Sequence, residues 1–337
     1  MNFNLLEKAI VATIAYYDVL EYPLTGFEVF KYLINPLHIV KSSSIDFDAE
    51  VEPLENIDLI NILKILEGDN LKSYIDEKNG FYFLQNRRQI AKIRIERQKI
   101  SDEMWKKSKR IIKWLQIIPY LRMVLMSGSA AMHNAKPESD IDLLVVVKSK
   151  RIWTARFFIS LLFQIIGKRR HGRKTAGRFC LNHYLTDKSL KINYPSLYNA
   201  QTYAHLVLML EIEENVYNRF QFENRWIGNY LYVYDLQKIG SQLKIKNSRF
   251  LGLIRKIKEA VLNTFIGNVL EWFLKLIQKK HIKKHWPENL SGGRIVVDDS
   301  QLEFHPESPE RRILERFNEN MLRLNMAIKE PDSGLIS

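Results

Sequence analysis

Residues 121–147 read LRMVLMSGSAAMHNAKPESDIDLLVVV and contain the pattern that decides the fold. An apolar run ends in a turn at Gly128 and Ser129, and two carboxylates, Asp140 and Asp142, then open a second apolar run. This order predicts a strand, a Gly-Ser turn, a short helix and a second strand. Residues two apart in a strand lie on the same face, so we expect the two carboxylates to be neighbours.

Neighbouring carboxylates of this kind predict a cation site. Their negative charges repel each other unless a cation lies between them, and Mg²⁺ or Mn²⁺ accepts oxygen ligands while leaving positions for phosphates. Gly128 carries no side chain that would block close approach of the backbone. Ser129 offers a hydroxyl and an N–H at the start of a predicted helix. Together these residue types predict chemistry at a phosphate group held by metal ions.

The full arrangement resembles the signature of the DNA polymerase beta-like nucleotidyltransferase superfamily, in which a Gly-Gly or Gly-Ser turn precedes Asp-x-Asp. Here ten residues, 130–139, separate Ser129 from Asp140. The resemblance implies an α+β fold with a mixed sheet flanked by helices. It also implies an enzyme that moves a nucleoside monophosphate from a nucleoside triphosphate such as ATP to a hydroxyl or amine. In that case Asp140 and Asp142 hold Mg²⁺ or Mn²⁺, while Gly128 and Ser129 hold the triphosphate.

The same superfamily usually has a third carboxylate on a neighbouring strand. The next predicted strand, 178–185, contains no Asp or Glu. We predict that Asn182 takes the third position, with His183 as second candidate and Asp187, just beyond the strand, as third. An amide oxygen can ligate Mg²⁺, but it cannot act as a base. Strict alternation predicts that three side chains of this strand share one face: Cys180, Asn182 and Tyr184.

The chain as a whole is similar to a group of prokaryotic nucleotidyltransferase-domain proteins with an N-terminal winged-helix-like region. The segments that carry this similarity are 21–25 (EYPLT), 127–130 (SGSA), 139–142 (SDID), 152–156 (IWTAR) and 180–182 (CLN). We therefore predict four regions: a winged-helix-like domain over 1–86, a basic helical connector over 87–117, a nucleotidyltransferase core over 118–192, and a helical C-terminal region over 193–337.

The first region has local signals for three helices and a hairpin. Thr25 and Glu28 form a capping-box pattern, and Asn79-Gly80 between apolar runs predicts a hairpin turn. The predicted elements are helices over 4–20, 26–33 and 54–66, a polar loop over 36–52, and strands over 72–76 and 80–84. This order also raises the hypothesis of a winged-helix DNA-binding regulator.

The distribution of charge argues against duplex DNA as the partner of that region. Residues 1–86 hold six Lys, no Arg and fourteen Asp or Glu, a net charge of −8, whereas DNA binding depends on neutralising phosphates. Residues 87–337 hold 45 basic and 24 acidic side chains (51 − 6 and 38 − 14), a net charge of +21. We therefore expect a packing or protein-contact role for the first region, and a polyanionic or phosphorylated partner for the rest.

Two basic segments stand out beyond residue 87. Residues 168–178 contain six Arg or Lys, which predicts either a loop that closes over a triphosphate or RNA phosphates, or a solvated surface loop. A long helical pattern over 251–285 has a basic end. Packing against the catalytic core is our first expectation for it, and a membrane-surface or partner helix is the alternative.

The rest of the C-terminal half contains fewer local signals. Residues 194–284 are predicted to be helical throughout, 291–299 to be strand-like, and 304–310 to form an exposed turn before a helix over 310–329. His133 and Lys136 are expected to face solvent. His281, His285 and His305 have no spacing that predicts a metal site.

Composition limits the class of protein. The chain has 337 residues, 46% of them hydrophobic, and a single cysteine, Cys180, which excludes an intramolecular disulfide framework. No export signal or membrane-length apolar segment is recognised, so we expect a cytoplasmic protein without a membrane span. The main alternative to an enzyme is a catalytically impaired protein of the same fold that binds nucleotides or RNA. RNA, protein and small molecules all remain open as acceptors.

Overall fold

The computed structural model describes residues 3–42, 57–172, 174–234, 244–287 and 292–334. It is an α+β structure with a mixed sheet and helices on both faces, as expected for the coarse fold class. The domain boundaries stay a prediction. Three of the six strands in the main sheet come from residues after 192.

The N-terminal region contains four described helices and a small sheet. These are α1 (Leu5–Val19), α2 (Gly26–Lys31), α3 (Pro36–Ser42) and α4 (Leu59–Glu67), with strands β1 (Leu24–Thr25), β2 (Ile75–Lys78) and β3 (Phe81–Leu84) in the order β1-β3-β2. The capping box is confirmed, because Thr25 Oγ1 accepts from the Glu28 N–H at 3.2 Å and Glu28 Oε2 accepts from the Thr25 N–H at 2.9 Å. The hairpin turn is confirmed by positive φ values of 57° at Asn79 and 77° at Gly80.

The predicted loop over 36–52 is wrong at its start. Residues 36–42 form α3, whose first residue is Pro36, and proline is well suited to the first turn of a helix. Residues 43–56 lie outside the described residues, so the predicted start of the third helix at Leu54 lies outside them too. The described part, α4, begins after Asp58, whose side chain accepts from the Asn61 N–H at 2.8 Å.

The predicted basic connector is a helix, α5 (Ile90–Ile112), that continues into a 3₁₀ turn over Lys113–Ile117. Its buried residues include two arginines that bond toward the N-terminal region. Arg94 Nη2 donates to Glu28 Oε1 at 2.8 Å, and Arg97 bonds to Glu21. Ion pairs of two buried arginines therefore hold the connector to the N-terminal region.

The main sheet is built around the two strands that the Gly-Ser turn connects. Its strands are β4 (Leu121–Ser127), β5 (Ile141–Val147), β6 (Phe179–Thr186), β7 (Val207–Glu211), β8 (Gly292–Val297) and β9 (Gln301–Glu307), in the order β7-β4-β5-β6-β9-β8. Only β5 and β6 are parallel, joined by helix α7 (Ile152–Ile165); the other described pairs are antiparallel. Between β4 and β5 lies α6 (Gly128–Ala131), a single turn.

Two predictions for the C-terminal half are wrong. Residues 207–211, predicted as helix, form strand β7 beside β4, because a short apolar run fits either period and sheet pairing decides. The predicted exposed turn over 304–310 is instead largely part of β9, which lies between β6 and β8.

The other C-terminal elements are helical as predicted. They are α8 (Leu197–Ala204), α9 (Val216–Glu223), α10 (Arg249–Leu262), α11 (Phe265–Lys284) and α12 (Glu310–Arg323). The last helix ends six residues before the predicted Lys329. Among the described residues no single helix is long and apolar enough to cross a membrane, although α10 and α11 together, bent by 90°, meet the length and composition test.

Apolar clusters cover both faces of the main sheet and extend to the N-terminus. One cluster combines alternate residues of β4 and β5 with Trp153 and Phe163 of α7, and another lies on the opposite face around Leu185 and Phe220. A third joins α1 to α12, where Tyr16 and Phe317 meet edge to face at 6.0 Å. The first and last parts of the chain therefore share one core.

Candidate active site

The predicted turn and carboxylates meet at one end of the main sheet. Ser127 of β4 lies opposite Asp142 of β5 in the antiparallel register, which brings the following residue, Gly128, against the Asp142 side chain. Gly128 has a φ of 68°, and a Cβ built there would lie 2.3 Å from Asp142 Oδ2. Any other residue would need a strained backbone and would collide with the carboxylate.

Ser129 follows Gly128 and lines a cavity that also contains Asp140 and Asp142 in its surface. Its hydroxyl is 3.3 Å from the Ser139 hydroxyl, which also accepts from the Lys136 N–H at 2.9 Å. The expected helix after Ser129 is only one turn long, so it adds little dipole to the site. What Ser129 offers a phosphate is its hydroxyl and the backbone of the turn.

Asp140 and Asp142 lie side by side, as alternation predicts. Each offers an oxygen that lies within 4.8 Å of the other and of Cys180 Sγ. Burial, followed by the charge of Asp140, raises the pKa of Asp142 to about 6. Burial also raises the pKa of Cys180 to about 12, so the thiol stays protonated and is a poor ligand for a hard cation. The two carboxylates are therefore the cation ligands that the site offers.

One arginine of the basic segment 168–178 reaches this pair. Arg170 Nη1 donates to Asp140 Oδ2 at 2.6 Å and lies 3.5 Å from Cys180 Sγ. The segment is held nearby by backbone bonds, among them the Gly177 N–H to Ser139 O at 2.8 Å. A positive charge beside two carboxylates offsets their repulsion, and the same guanidinium can bind phosphate oxygens.

Asn182 lies beside Asp142, but with its amide nitrogen facing the carboxylate. Asn182 Nδ2 is 3.5 Å from Asp142 Oδ1 and 2.8 Å from His305 Nε2. The predicted use of its amide oxygen as a cation ligand does not fit this orientation. Asn182 instead links the aspartate to a histidine from β9.

The predicted face of β6 is wrong beyond Asn182. The register of β5 and β6 shifts between Asp142 and Leu144, and a β-bulge of this kind breaks alternation. Tyr184 therefore packs into the apolar cluster with Phe179, while His183, predicted on the opposite face, lines the cavity together with Asn182.

The other predicted candidates lie apart from the carboxylates. Asp187, at the far end of β6, accepts from the Ser149 N–H at 2.9 Å and does not line the cavity. His133 packs against Trp105 with ring centroids 4.3 Å apart, and burial lowers its pKa, so it faces solvent only in part. Lys136 is exposed, as expected.

A buried polar cluster from β8 and β9 forms the opposite wall, and sequence reasoning missed it. Glu303 accepts from Arg294 Nε at 3.2 Å and from Gln301 Nε2 at 3.0 Å, and it lies 3.6 Å from His305 Nδ1. Burial alone would raise the pKa of Glu303, but its interactions with His183, Arg294 and His305 lower it overall. The carboxylate is therefore ionised and fixed in position.

Two histidines of the cavity, His183 of β6 and His305 of β9, stay neutral at neutral pH. Burial lowers the pKa of His183 to about 4 and also lowers the pKa of His305. His183 Nε2 is buried with no hydrogen-bond partner in the described part of the chain. Because Asn182 donates to His305 Nε2, the proton of the His305 ring lies on Nδ1, toward Glu303. The lone pair on Nε2 thus accepts from the Asn182 amide, which also lies beside Asp142.

Between the two walls is a cavity of about 610 Å³. Its surface includes the Gly-Ser turn, both aspartates, Arg170 and the β8–β9 cluster, together with tyrosines of α8 and the preceding loop. A cavity of this size is ordinary for a small-molecule or nucleotide site. Comparisons of the chain with protein-family models, curated proteins and solved structures give no match.

Proposed function

We propose that the protein is a metal-dependent nucleotidyltransferase that transfers a nucleoside monophosphate from a nucleoside triphosphate to a hydroxyl or amine acceptor. The observation that carries this proposal is the close contact of Gly128 with the Asp142 carboxylate, beside Asp140. Only a glycine turn allows that approach. Its position next to paired carboxylates is what a cation-bound triphosphate needs.

The finer fold assignment belongs to the same proposal. The antiparallel β4–β5 pair with its Gly-Ser turn, followed by parallel β6, supports a polymerase beta-like core. In the N-terminal region, the order of helices and hairpin, with β1 added to the hairpin through β3, supports a winged-helix-like module. The acidic charge of this module still argues for protein contacts over duplex DNA.

The roles follow from the residue types. Asp140 and Asp142 would hold Mg²⁺ or Mn²⁺, which when bound neutralises phosphate charge and activates the α-phosphorus. Gly128 and Ser129 would bind the triphosphate, with Arg170 turning from Asp140 to phosphate oxygens. Asn182 completes the pocket by holding Asp142 and His305 together.

His305 is the proposed general base, which would take the proton from the acceptor hydroxyl or amine. His305 is neutral, its Nε2 accepts from Asn182 beside Asp142, and Glu303 lies behind its Nδ1. Asn182 would have to turn away to free Nε2 for the proton. A carboxylate behind a histidine orients the ring and stabilises its protonated form. His305 and Glu303 would together replace the third carboxylate that the superfamily usually has.

Labelling with radioactive nucleoside triphosphates and Mg²⁺ tests the proposed function. We expect the wild-type protein to transfer label to an acceptor from RNA, protein or small-molecule pools. The double variant Asp140→Ala/Asp142→Ala should lose at least about 10³-fold in rate, because it lacks the charge that binds the cation. Glu138→Ala, which removes an exposed carboxylate close by, is the matched control and should label normally. Equal labelling by wild type and double variant would refute the assignment.

A second candidate is a binding protein of the same fold without turnover. The amide nitrogen of Asn182 at the third position and the Arg170 ion pair on Asp140 favour it. Calorimetry with each nucleoside triphosphate, with and without Mg²⁺, separates the two. Binding that needs no metal, without labelling, would favour the binding protein.

A further inference from the structure

The outer face of α10 and α11 exposes an unusual amount of apolar surface. Phe265 is 79% exposed, Phe250 70% and Trp272 61%. The exposed large apolar residues of the two helices are Phe250, Leu253, Ile257, Val261, Phe265, Ile266, Val269, Trp272, Phe273, Leu276 and Ile277. We call these residues, with the basic residues between and beyond them, the α10–α11 face. Contiguous apolar surface of this extent marks an interaction site.

The exposed residues follow helical periodicity, so they lie in stripes. In α10 they occur at intervals of three or four residues from Phe250 to Val261. In α11 single residues and adjacent pairs of them recur every three or four residues from Phe265 to Ile277. The inner sides of the same helices pack on the protein, where Leu251 and Leu274 are buried. Each helix is thus apolar on two sides, and only one of these sides is covered.

The charges on the two helices are equally one-sided. Residues 249–284 contain nine Lys or Arg and only two acidic residues, Glu259 and Glu271. Both glutamates point inward: Glu259 accepts from the Tyr120 N–H at 2.7 Å, and Glu271 accepts from the backbone N–H groups of Trp153 and Thr154 at 3.0 and 2.8 Å. The two glutamates bond to groups inside the protein, whereas Arg249, Lys280, Lys283 and Lys284 are among the basic residues that are exposed.

Most of those cations have no internal counter-charge. Within the described residues only Arg255 and Lys275 of this segment form ion pairs, with Glu259 and Asp299. Lys280, Lys283 and Lys284, near the end of α11, have no carboxylate within ion-pair distance in the described part of the chain. Positive charges beside an apolar stripe match an anionic, apolar partner.

We propose that the α10–α11 face binds the surface of an anionic lipid bilayer. Its apolar residues enter the headgroup region, and its lysines bind lipid phosphates. Trp272 and Phe273 lie among the stripes, and aromatic side chains favour the membrane interface. The 90° bend between the helices lets both lie along a surface. A second copy of the chain is a poorer partner, because it would bring two positive faces together.

Co-sedimentation of the full chain with lipid vesicles tests this proposal independently of nucleotide transfer. We expect binding to phosphatidylcholine vesicles containing about a quarter phosphatidylglycerol, and at least tenfold weaker binding to phosphatidylcholine alone. Trp272→Gln/Phe273→Gln should weaken binding about tenfold or more by removing buried apolar area. Lys280→Glu/Lys284→Glu should weaken only the part that depends on phosphatidylglycerol.

Two exposed apolar residues outside this face provide the matched control. Phe222 and Leu322 are exposed on α9 and α12, so Phe222→Gln/Leu322→Gln removes comparable apolar surface and should bind vesicles like the wild type. All changed side chains are exposed, and unfolding curves check that the fold is kept. The proposal is overturned if the wild type stays in the supernatant with both lipids. It is also overturned if both apolar double variants bind equally, or if the face proves to hold a stable dimer that excludes vesicles.

Discussion

Asp142→Asn should raise the melting temperature of the protein while abolishing nucleotide transfer. Burial and the nearby Asp140 raise the pKa of Asp142 from 3.8 to about 6, so at neutral pH the folded protein holds a charge that it disfavours. The free energy of unfolding should increase by about 1–3 kcal/mol in the variant, which corresponds to a few degrees in melting temperature. Transfer should fall at least about 10³-fold, because asparagine does not replace the carboxylate.

The stability difference between the wild type and Asp142→Asn should depend on pH. The folded-state pKa lies above the unfolded value, so wild-type stability is favoured at low pH and is lost as the pH rises through about 6. Melting curves without divalent cations should therefore separate wild type and variant at pH 8 and converge near pH 4. Glu138→Gln should change neither stability nor transfer. A variant that melts below the wild type at pH 8 would contradict the described environment of Asp142.

Gly128→Ala should remove activity even though it adds one methyl group. The new Cβ would lie 2.3 Å from Asp142 Oδ2, so the carboxylate or the turn must move. We expect transfer to fall at least about 100-fold, because a displacement of about 1 Å in a catalytic group has effects of this size. Nucleotide binding by calorimetry and transfer of radioactive label measure the loss.

Gly167→Ala is the matched control for that variant. Gly167 has a φ of 64°, close to the 68° of Gly128, but a Cβ there would have nothing within 4 Å. Both variants should lose about 1 kcal/mol of stability from the left-handed backbone, and Gly128→Ala should lose more because its Cβ collides with Asp142. Only Gly128→Ala should lose activity. Similar activity of the two variants would mean that the Gly128–Asp142 contact does not matter for the reaction.

The parts of the fold and site that were predicted rest on local patterns. The Gly-Ser turn, the strand that carries Asp142 and the capping box of Thr25 each lie within a few residues, so periodicity and turn chemistry are enough to find them. Gly128 and Asp142 lie in the same short segment, which is why the sequence predicts that they meet at one site. Each of these contacts joins residues that are close in sequence, so local patterns are enough to predict it.

The missed parts depend on contacts that are distant in sequence. His305 contacts Asn182, 123 positions away in the sequence, because β9 pairs with β6. No local sequence pattern predicts that pairing. The β-bulge beside Asn182 sends Tyr184 into the core and His183 into the cavity, which strict alternation cannot anticipate. The sequence of β7 is predicted as helix because its apolar run is too short to distinguish helical from strand periodicity.

The net charge of +13 also has a clearer meaning once it is divided by location. One part lies in the basic segment 168–178, where Arg170 reaches Asp140. Another part lies on the α10–α11 face, away from the acids that bond inward. The two proposed anionic partners, a triphosphate and a lipid surface, would account for these two groups of cations.

A crystal structure of the protein soaked with Mn²⁺ and a non-hydrolysable ATP analogue tests the central claim most directly. We expect an anomalous peak at the carboxylates of Asp140 and Asp142, with the triphosphate against Gly128 and Ser129 and with Arg170 released from Asp140. An unaltered Arg170–Asp140 ion pair with no peak at the two aspartates, at saturating Mn²⁺ and nucleotide, would contradict it.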